Sequence, residues 1–430
     1  MAENPKVTIF SEVERCLVAG DFENAYEILR HEGAKKGVEH LLYTAGAHEI
    51  GRLALRYLVG GRPVDDPLLY TNVAGLALDG PIGLNPGWDK TGKTIQAWQA
   101  LGAHHTTPGG VPFFPQTGRR MPRLTTFNDR LGDHGVNLSL NSMKFPSPGA
   151  EVVRYNIEKQ KEQGDVHIPI IVQLTMNHVF FDDPKYHHLI HDLMRMTAEE
   201  LLPVADAFNI GLTSPNVDYM RKVQAGDKAD EFVRRIINAI REVTASSDRY
   251  IPIIFKGHGD LGERQWEYYC NWATYNEDYF DAFELINTTR KPEIWAKHGL
   301  DPDKVIGGLA GSDPDFQQLA LDATRYVYEA IGDRFDIITN GGIDSGRQLV
   351  LALENGGSAV GINSAIPKLG LGAMKLIERE GLAILKRKYP EATSLDQIIG
   401  IATARKAKYL TRENPADKAE NAARRIKERT

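Results

Sequence analysis

Two rhythms of hydrophobic positions divide this chain. Over residues 8–61, FSEVERCLVAG, FENAYEILRHEG and HEIGRLALRYLVGG place apolar residues at helical spacing. Gly60, Gly61 and the following RPVDDP punctuate the end of that region. From Leu76 the rhythm changes, and short apolar runs alternate with longer segments of helical period. Eight runs read as strands: LALDGPIGLN (76–85), GAHHTT (102–107), IPIIVQL (168–174), AFNIGL (207–212), IPIIFK (251–256), AFELIN (282–287), FDIITN (335–340) and SAVGIN (358–363). Segments such as GKTIQAWQAL, GAEVVRYNIEKQ, ADEFVRRIINAIREV, DPDFQQLALDATRYVYEAI and GRQLVLALE read as the helices between them. Continuous apolar strands alternating with helices predict a parallel sheet covered on both faces. Eight such units predict an α/β fold, a closed (β/α)8 TIM barrel with an N-terminal helical extension. The division is residues 1–65 as a helical accessory region and 66–430 as the barrel. A doubly wound open sheet is the rival, weakened because no GxGxxG follows the first strand. Residues 108–150 hold no obvious barrel strand and read as a long loop, of a sort that is usually functional or disordered.

In such a barrel the residues just after each strand share one mouth. There the sequence places Gln173, Ser214, Asn216, Lys256, Asn287, Thr288, Thr289, Asn363 and Ser364. Amides both donate and accept, so a ring of them suits a flat polar heterocycle. Gly341 and Gly342 follow the seventh strand and Ser364 the eighth, where barrels often hold a phosphate on backbone N–H groups. GGIDSGRQ also opens a helix, whose N-terminus favours an anion. A phosphorylated cofactor is implied, with FMN the natural candidate. Each signal has a plainer reading: Ser-Pro-Asn as a turn or helix cap, lysine as a solvated strand end, Asn-Gly-Gly as a turn. Their placement after successive strands favours the functional one. His187 and His191 have metal-compatible spacing without an HExxH glutamate, so they read as a solvated helix face and no metal is expected.

Composition narrows the class. A net charge of −6 offers no electrostatic footprint for nucleic acid. No apolar run is long enough for a transmembrane helix, and the N-terminus lacks the pattern of a secretory signal. Cys16 and Cys270 are lone, which fits a reducing, cytoplasmic compartment and holds no iron–sulfur cluster. The N-terminal helices are amphipathic but carry Glu12, Glu14, Asp21 and Glu23, a poor match to an anionic lipid surface. Docking on the barrel, on another subunit or peripherally on a membrane all remain open.

The motifs, taken in order, resemble the dihydroorotate dehydrogenase family in its serine-base, membrane-associated class. The resemblance runs from about Glu49 toward the C-terminus through GPIGLNPGWDKTGK, GGVPFFPQTGRRMPRL, LNSMKFPSPG, GLTSPN, IIFKGHGDL, INTT, GGLAG and ITNGGIDSG. It implies FMN across the barrel mouth, touched by Asn85, Pro86, Gly87, Gln173, Lys256, Gly311, Gly341, Gly342, Asn363 and Ser364. Lys90, Asn141, Phe145, Asn216, Asn287 and Thr288 are implied to hold a pyrimidine and its carboxylate. Ser214 is implied as the base that removes a proton beside the substrate carbonyl, while a hydride passes to the flavin. Lys256 is implied to stabilise the anionic reduced ring. A quinone is the implied electron acceptor of this class, although another acceptor stays open. The alternative class with an iron–sulfur partner resembles a cysteine-base pattern instead.

The chain also departs from the family pattern. Gly211 stands in place of a substrate-contacting asparagine, and Gln173 in place of an asparagine near the flavin. Ser142, Lys144 and Pro146 replace Arg, Gly and Asn. Asn85 and Pro86 replace small residues, and Asn363 replaces an aromatic. Oxidation of dihydroorotate to orotate, in pyrimidine biosynthesis, is therefore the first reading. A diverged paralogue acting on another cyclic amide or an enone is the second. A non-catalytic flavin- or phosphate-binding barrel is the third. The polar 211–230 stretch reads as a lid or as an ordinary exposed loop.

Overall fold

The computed structural model describes residues 64–120, 123–129, 136–164, 166–211, 229–275 and 280–403. The helices expected at 8–61, the 212–228 part of the expected lid, Ser214 and Asn216 lie outside the described residues.

A short antiparallel hairpin, β1 (Thr71–Val73) and β2 (Leu76–Leu78), comes first. Then follow β3 (Ile82–Leu84), β4 (Gly109–Val111), β5 (Leu124–Asp129), β6 (Val136–Asn141), β7 (Ile171–Leu174), β8 (Ala207–Ile210), β9 (Ile253–Lys256), β10 (Ala282–Glu284), β11 (Gly308–Gly311), β12 (Asp336–Asn340) and β13 (Ala359–Ile362). Eight of them form one sheet in the order β3-β13-β12-β10-β9-β8-β7-β4, every pair parallel. Bridges from Leu84 to Thr106 and from Thr106 to Ile170 close the circle. Helices lie between most successive barrel strands, the longest being Pro314–Ile331 and Ala229–Thr244, and Ala373–Lys388 follows the last strand. The expected barrel is therefore present.

Strand alternation explains the packing. Outward residues such as Leu84, Val172, Phe208, Phe255, Phe283, Ile337 and Val360 join the main buried cluster with the helices. Phe255, Phe280, Phe283 and Phe335 pack there, mostly edge to face, at ring separations of 4.9–6.2 Å. Inward residues Ile171, Ala207, Ile254, Ala282, Ile338 and Ala359 form a second cluster. Val73, Ala74 and Leu78 of the hairpin join that cluster and plug this end of the barrel.

Three expectations need correction. Residues 76–85 are not one strand: the DGP turn divides β2 from β3, since Asp-Gly-Pro favours a turn over a ladder. Residues 104–107 do link β3 to β7, through parallel bridges at Thr106 and backbone bonds such as His104 N–H to Ile82 O and Thr107 N–H to Leu84 O, but the regular ladder begins only past Pro108, at β4. The segment 108–150 is not a plain loop. It contains β4, and β5 and β6 form with β11 a separate antiparallel sheet over the barrel. A Gly-Gly-Val strand carries no hydrophobic alternation, which hid β4 from pattern reading.

Candidate active site

The C-terminal strand ends gather most of the expected residues. One group joins the end of β3 to the end of β13. Asn85 N–H donates to Ile362 O at 3.1 Å, Asn363 Nδ2 to Pro86 O at 3.3 Å, and Trp88 Nε1 to Asn363 O at 3.2 Å. A Cβ on Gly87 would lie 3.1 Å from Asn363 Nδ2. Ser364 is the N-cap of the short helix Ala365–Leu369. A second group joins β11 to the end of β12. Gly341 and Gly342 have φ of 111° and 71°, and Gly311 has φ of 138°. A Cβ on Gly342 would meet Gly311 O at 2.7 Å, and one on Gly311 would meet Asn137 O at 2.1 Å. Only glycine fits this close backbone approach, which leaves a rim of main-chain groups free of side chains.

Lys90 is positioned by its neighbour. Asp89 is buried, and its carboxylate accepts from the N–H groups of Thr91, Gly92 and Thr94 at 2.7–3.0 Å, shaping the turn. Lys90 Nζ donates to Gly109 O at 2.8 Å. Burial first, then the charges of Lys256 and Arg123, push the Lys90 ammonium down to about 7. Lys90 and Lys256 thus sense one another inside the same mouth. Asn287 and Thr288 follow β10, where the Asn287 side chain accepts from Thr288 N–H at 2.8 Å. Thr288 Oγ1 is buried without a hydrogen-bond partner.

Asn141 ends β6 and accepts from Met143 N–H at 3.0 Å, starting the turn that carries Lys144 and Phe145. Both have left-handed backbones, with φ of 57° and 53°. Glycine would hold such a conformation without strain, so Lys144 keeps the loop's path at some cost. Phe145 O accepts from Gln116 Nε2 at 2.7 Å, and Gln116 also accepts from His178 N–H at 2.9 Å. Gln116, Asn177 and His178 tie this loop to the end of β7, a link the sequence pattern did not reveal.

Gln173 and Gly211 prove to be one structural unit. A Cβ at 211 would lie 3.0 Å from both Cγ and Cδ of Gln173 and 2.9 Å from Leu174 O. Gln173 therefore fills the space that a side chain at 211 would need, and its Nε2 donates to Asn209 Oδ1 at 2.9 Å.

Reading strand ends alone missed the interior layer beneath the mouth. Two residues beyond the inward apolar positions stand Gln173, Asn209, Lys256, Glu284, Asn340 and Gly361. Gly361 leaves room for Asn85 and Asn340, whose Oδ1 atoms lie 1.8 and 2.4 Å from where its Cβ would be. The imidazole of His105 packs against Gly83, filling the place of that residue's absent side chain. A signal existed: period-2 alternation through AFNIGL, AFELIN and FDIITN puts Asn209, Glu284 and Asn340 on the inward face. Among the described residues no group of three or more His, Cys, Asp or Glu side chains is placed to hold a metal.

A closed parallel barrel with its polar side chains at the C-terminal mouth has the architecture of the (β/α)8 enzymes, whose active sites lie at that face. The model of the family described as dihydroorotate dehydrogenase matches residues 68–385, and the chain belongs to that family. It is thus an oxidoreductase acting on CH–CH groups, in a family of flavoproteins. The chain is 28% identical over 359 residues to a dihydroorotate dehydrogenase (quinone) of Bradyrhizobium diazoefficiens, covering 83% of this chain and 92% of that one. It is 29% identical over 314 residues to one of Mycobacterium tuberculosis, covering 73% and 79%. A crystal structure of an Eimeria tenella enzyme of this family in complex with ferulenol superposes with a TM-score of 0.68 at 22% identity, covering 84% and 97%. That likeness speaks for the fold.

Proposed function

We propose that the protein is an FMN-dependent dihydroorotate dehydrogenase that oxidises dihydroorotate to orotate and passes the electrons to a quinone. The curated relatives carry that activity and acceptor in their names. The observation that carries the reading is the pair of buried lysine side chains, Lys90 and Lys256, under one mouth. An anionic, carbonyl-bearing heterocycle suits them.

The residues present fit an FMN. Gly341, Gly342 and Gly311 have no room for a Cβ against Ala320, Gln317, the Gly311 carbonyl and the Asn137 carbonyl, so main chain alone makes that rim, and Thr288 Oγ1 is a buried polar atom without a partner. Gly341, Gly342 and Ser364 would hold its phosphate, while Asn85, Pro86, Gly87, Gln173 and Asn363 would line its ring. When bound, the flavin supplies the hydride acceptor. Lys256 would stabilise negative charge in the reduced ring, and Lys90 would pair with the substrate carboxylate. Asn141, Phe145, Asn216, Asn287 and Thr288 would orient the substrate amides. Ser214 would take the proton beside the carbonyl, an exchange that needs a neighbouring acceptor to carry the proton on. Among the described residues no helix is long and apolar enough to cross a membrane. The reading places the protein in the cytoplasm, where residues 1–65 would approach a peripheral quinone.

The test is an anaerobic visible spectrum of the purified protein before and after adding dihydroorotate. A yellow protein that bleaches supports the reading, and a colourless one sinks it. A yellow protein that stays oxidised transfers the case to another cyclic amide or an enone. The left-handed Lys144 favours that second reading, because it adds a side chain where the loop turns toward the mouth. Ser214→Ala should retain the flavin and lose turnover by at least roughly a hundredfold; unchanged turnover removes the serine from the mechanism.

A further inference from the structure

Glu284 lies in the middle of the polar interior layer and is 2% exposed. Its Oε1 accepts from Lys256 Nζ and from Asn340 Nδ2, and its Oε2 accepts from Asn209 Nδ2. Asn209 is in turn held by Gln173 at 2.9 Å. Three other strands therefore send donors to one carboxylate on β10. Glu284 and Lys256 are direct register partners across β9 and β10, so the backbone itself sets them opposite one another. An isolated carboxylate in a dry interior is costly, and three donors offset that cost.

The same arrangement matters to the lysine. Lys256, Lys90 and Arg123 are close enough for the two other cations to act on Lys90, with Asp89 the opposing charge on the Lys90 side. His105, the remaining ionisable residue in the layer, is held neutral by burial. Among the described groups named here, Glu284 is the one anion in contact with Lys256.

We propose that Glu284 is a positioning residue for the flavin chemistry: it is the counter-ion that keeps Lys256 an ammonium and fixes its direction within the barrel. The proposal rests on the FMN reading above. Removing Glu284 leaves the Lys256 amine buried with no carboxylate in contact, an environment that favours its neutral form over the cation the reduced flavin would need.

The test is the midpoint potential of the bound flavin, measured by spectroelectrochemistry from about pH 6 to about pH 9. The proteins are the FMN-loaded wild type, Glu284→Gln, Lys256→Met and Lys256→Met/Glu284→Gln. The expected result is that the potential of Glu284→Gln, relative to wild type, falls with rising pH. The fall corresponds to a roughly tenfold or greater change in the reduced-to-oxidised ratio, about 30 mV for a two-electron couple. In the Lys256→Met background the Glu284→Gln change should produce no such trend. A pH-independent difference overturns the proposal. So does a trend that persists without Lys256, because it then belongs to Lys90. If Glu284→Gln does not fold, Glu284→Asp keeps the charge but withdraws it by a methylene. It should show the same trend at smaller size, and its absence overturns the proposal. A wild type that takes up no FMN defeats the functional reading instead, so the two failures are distinguishable.

Discussion

At Lys90 the local environment sets the chemistry. Lys90 is buried beside a second lysine and an arginine, so its folded-state value of about 7 lies below the roughly 10.4 of a free lysine. The cationic form that would bind an anionic substrate is then lost as pH rises through about 7 in the substrate-free enzyme. The expected outcome is a kcat/KM for dihydroorotate that declines on the alkaline side of that value. Lys90→Met should raise KM by about 10- to 100-fold, as loss of a charge-assisted hydrogen bond would; an unchanged KM removes Lys90 from the substrate site. Gln173 and Gly211 make a different point, since each accounts for the other. Gly211→Ala should destabilise the protein by about 1–3 kcal/mol through overpacking. Shortening Gln173 to Asn in the same chain should recover part of that loss. A double-mutant cycle in thermal unfolding measures the coupling, and simple additivity would show that the two side chains do not compete for space.

At the scale of elements, the site depends on where two sheets meet. β11 belongs to the antiparallel sheet over the barrel, yet its Gly311 carbonyl packs against Gly342 at the end of a barrel strand. The rim can form only while both positions lack side chains. Gly342→Ala should therefore weaken FMN binding at least roughly tenfold, since a left-handed non-glycine residue costs about 1–2 kcal/mol before any clash. Fluorescence titration of the apoprotein with FMN gives the number, and an unchanged affinity would place the phosphate elsewhere. At this scale the sequence was legible in part. The strand ends and the Gly-Gly turn could be read from apolar runs and breakers. β4 could not, because a Gly-Gly-Val segment beside Pro108 takes its extended form from pairing with β7 and not from its own propensity.

At the scale of the whole molecule, the closed barrel creates an interior from which water is excluded. His105 sits there fully buried, and burial pushes its imidazole down to about 3. The unfolded chain, near 6.5, binds the proton first. Stability from this residue is thus complete above about pH 6.5 and lost progressively as pH falls toward about 3. By about pH 5 the loss amounts to roughly 2 kcal/mol. His105→Gln should flatten the decline of thermal stability between about pH 7 and pH 5, and an equally steep decline would assign the acid sensitivity to other groups.

The one-dimensional pattern determined the class of fold, because period-2 and period-3.6 repeats are set by backbone geometry and survive without knowledge of contacts. It also determined which residue types end each strand, and hence Lys256, Asn287, Gly341 and Gly342 as candidates, while Lys90 entered only through the family resemblance. Only the tertiary structure decided what these residues face. Glu284 and Lys256 are 28 positions apart and meet because β9 and β10 pair in one register. Asn209 and Asn340 reach the same carboxylate from β8 and β12. Barrel closure turns separate inward positions into one layer, and a contact made by closure leaves no local mark in the sequence.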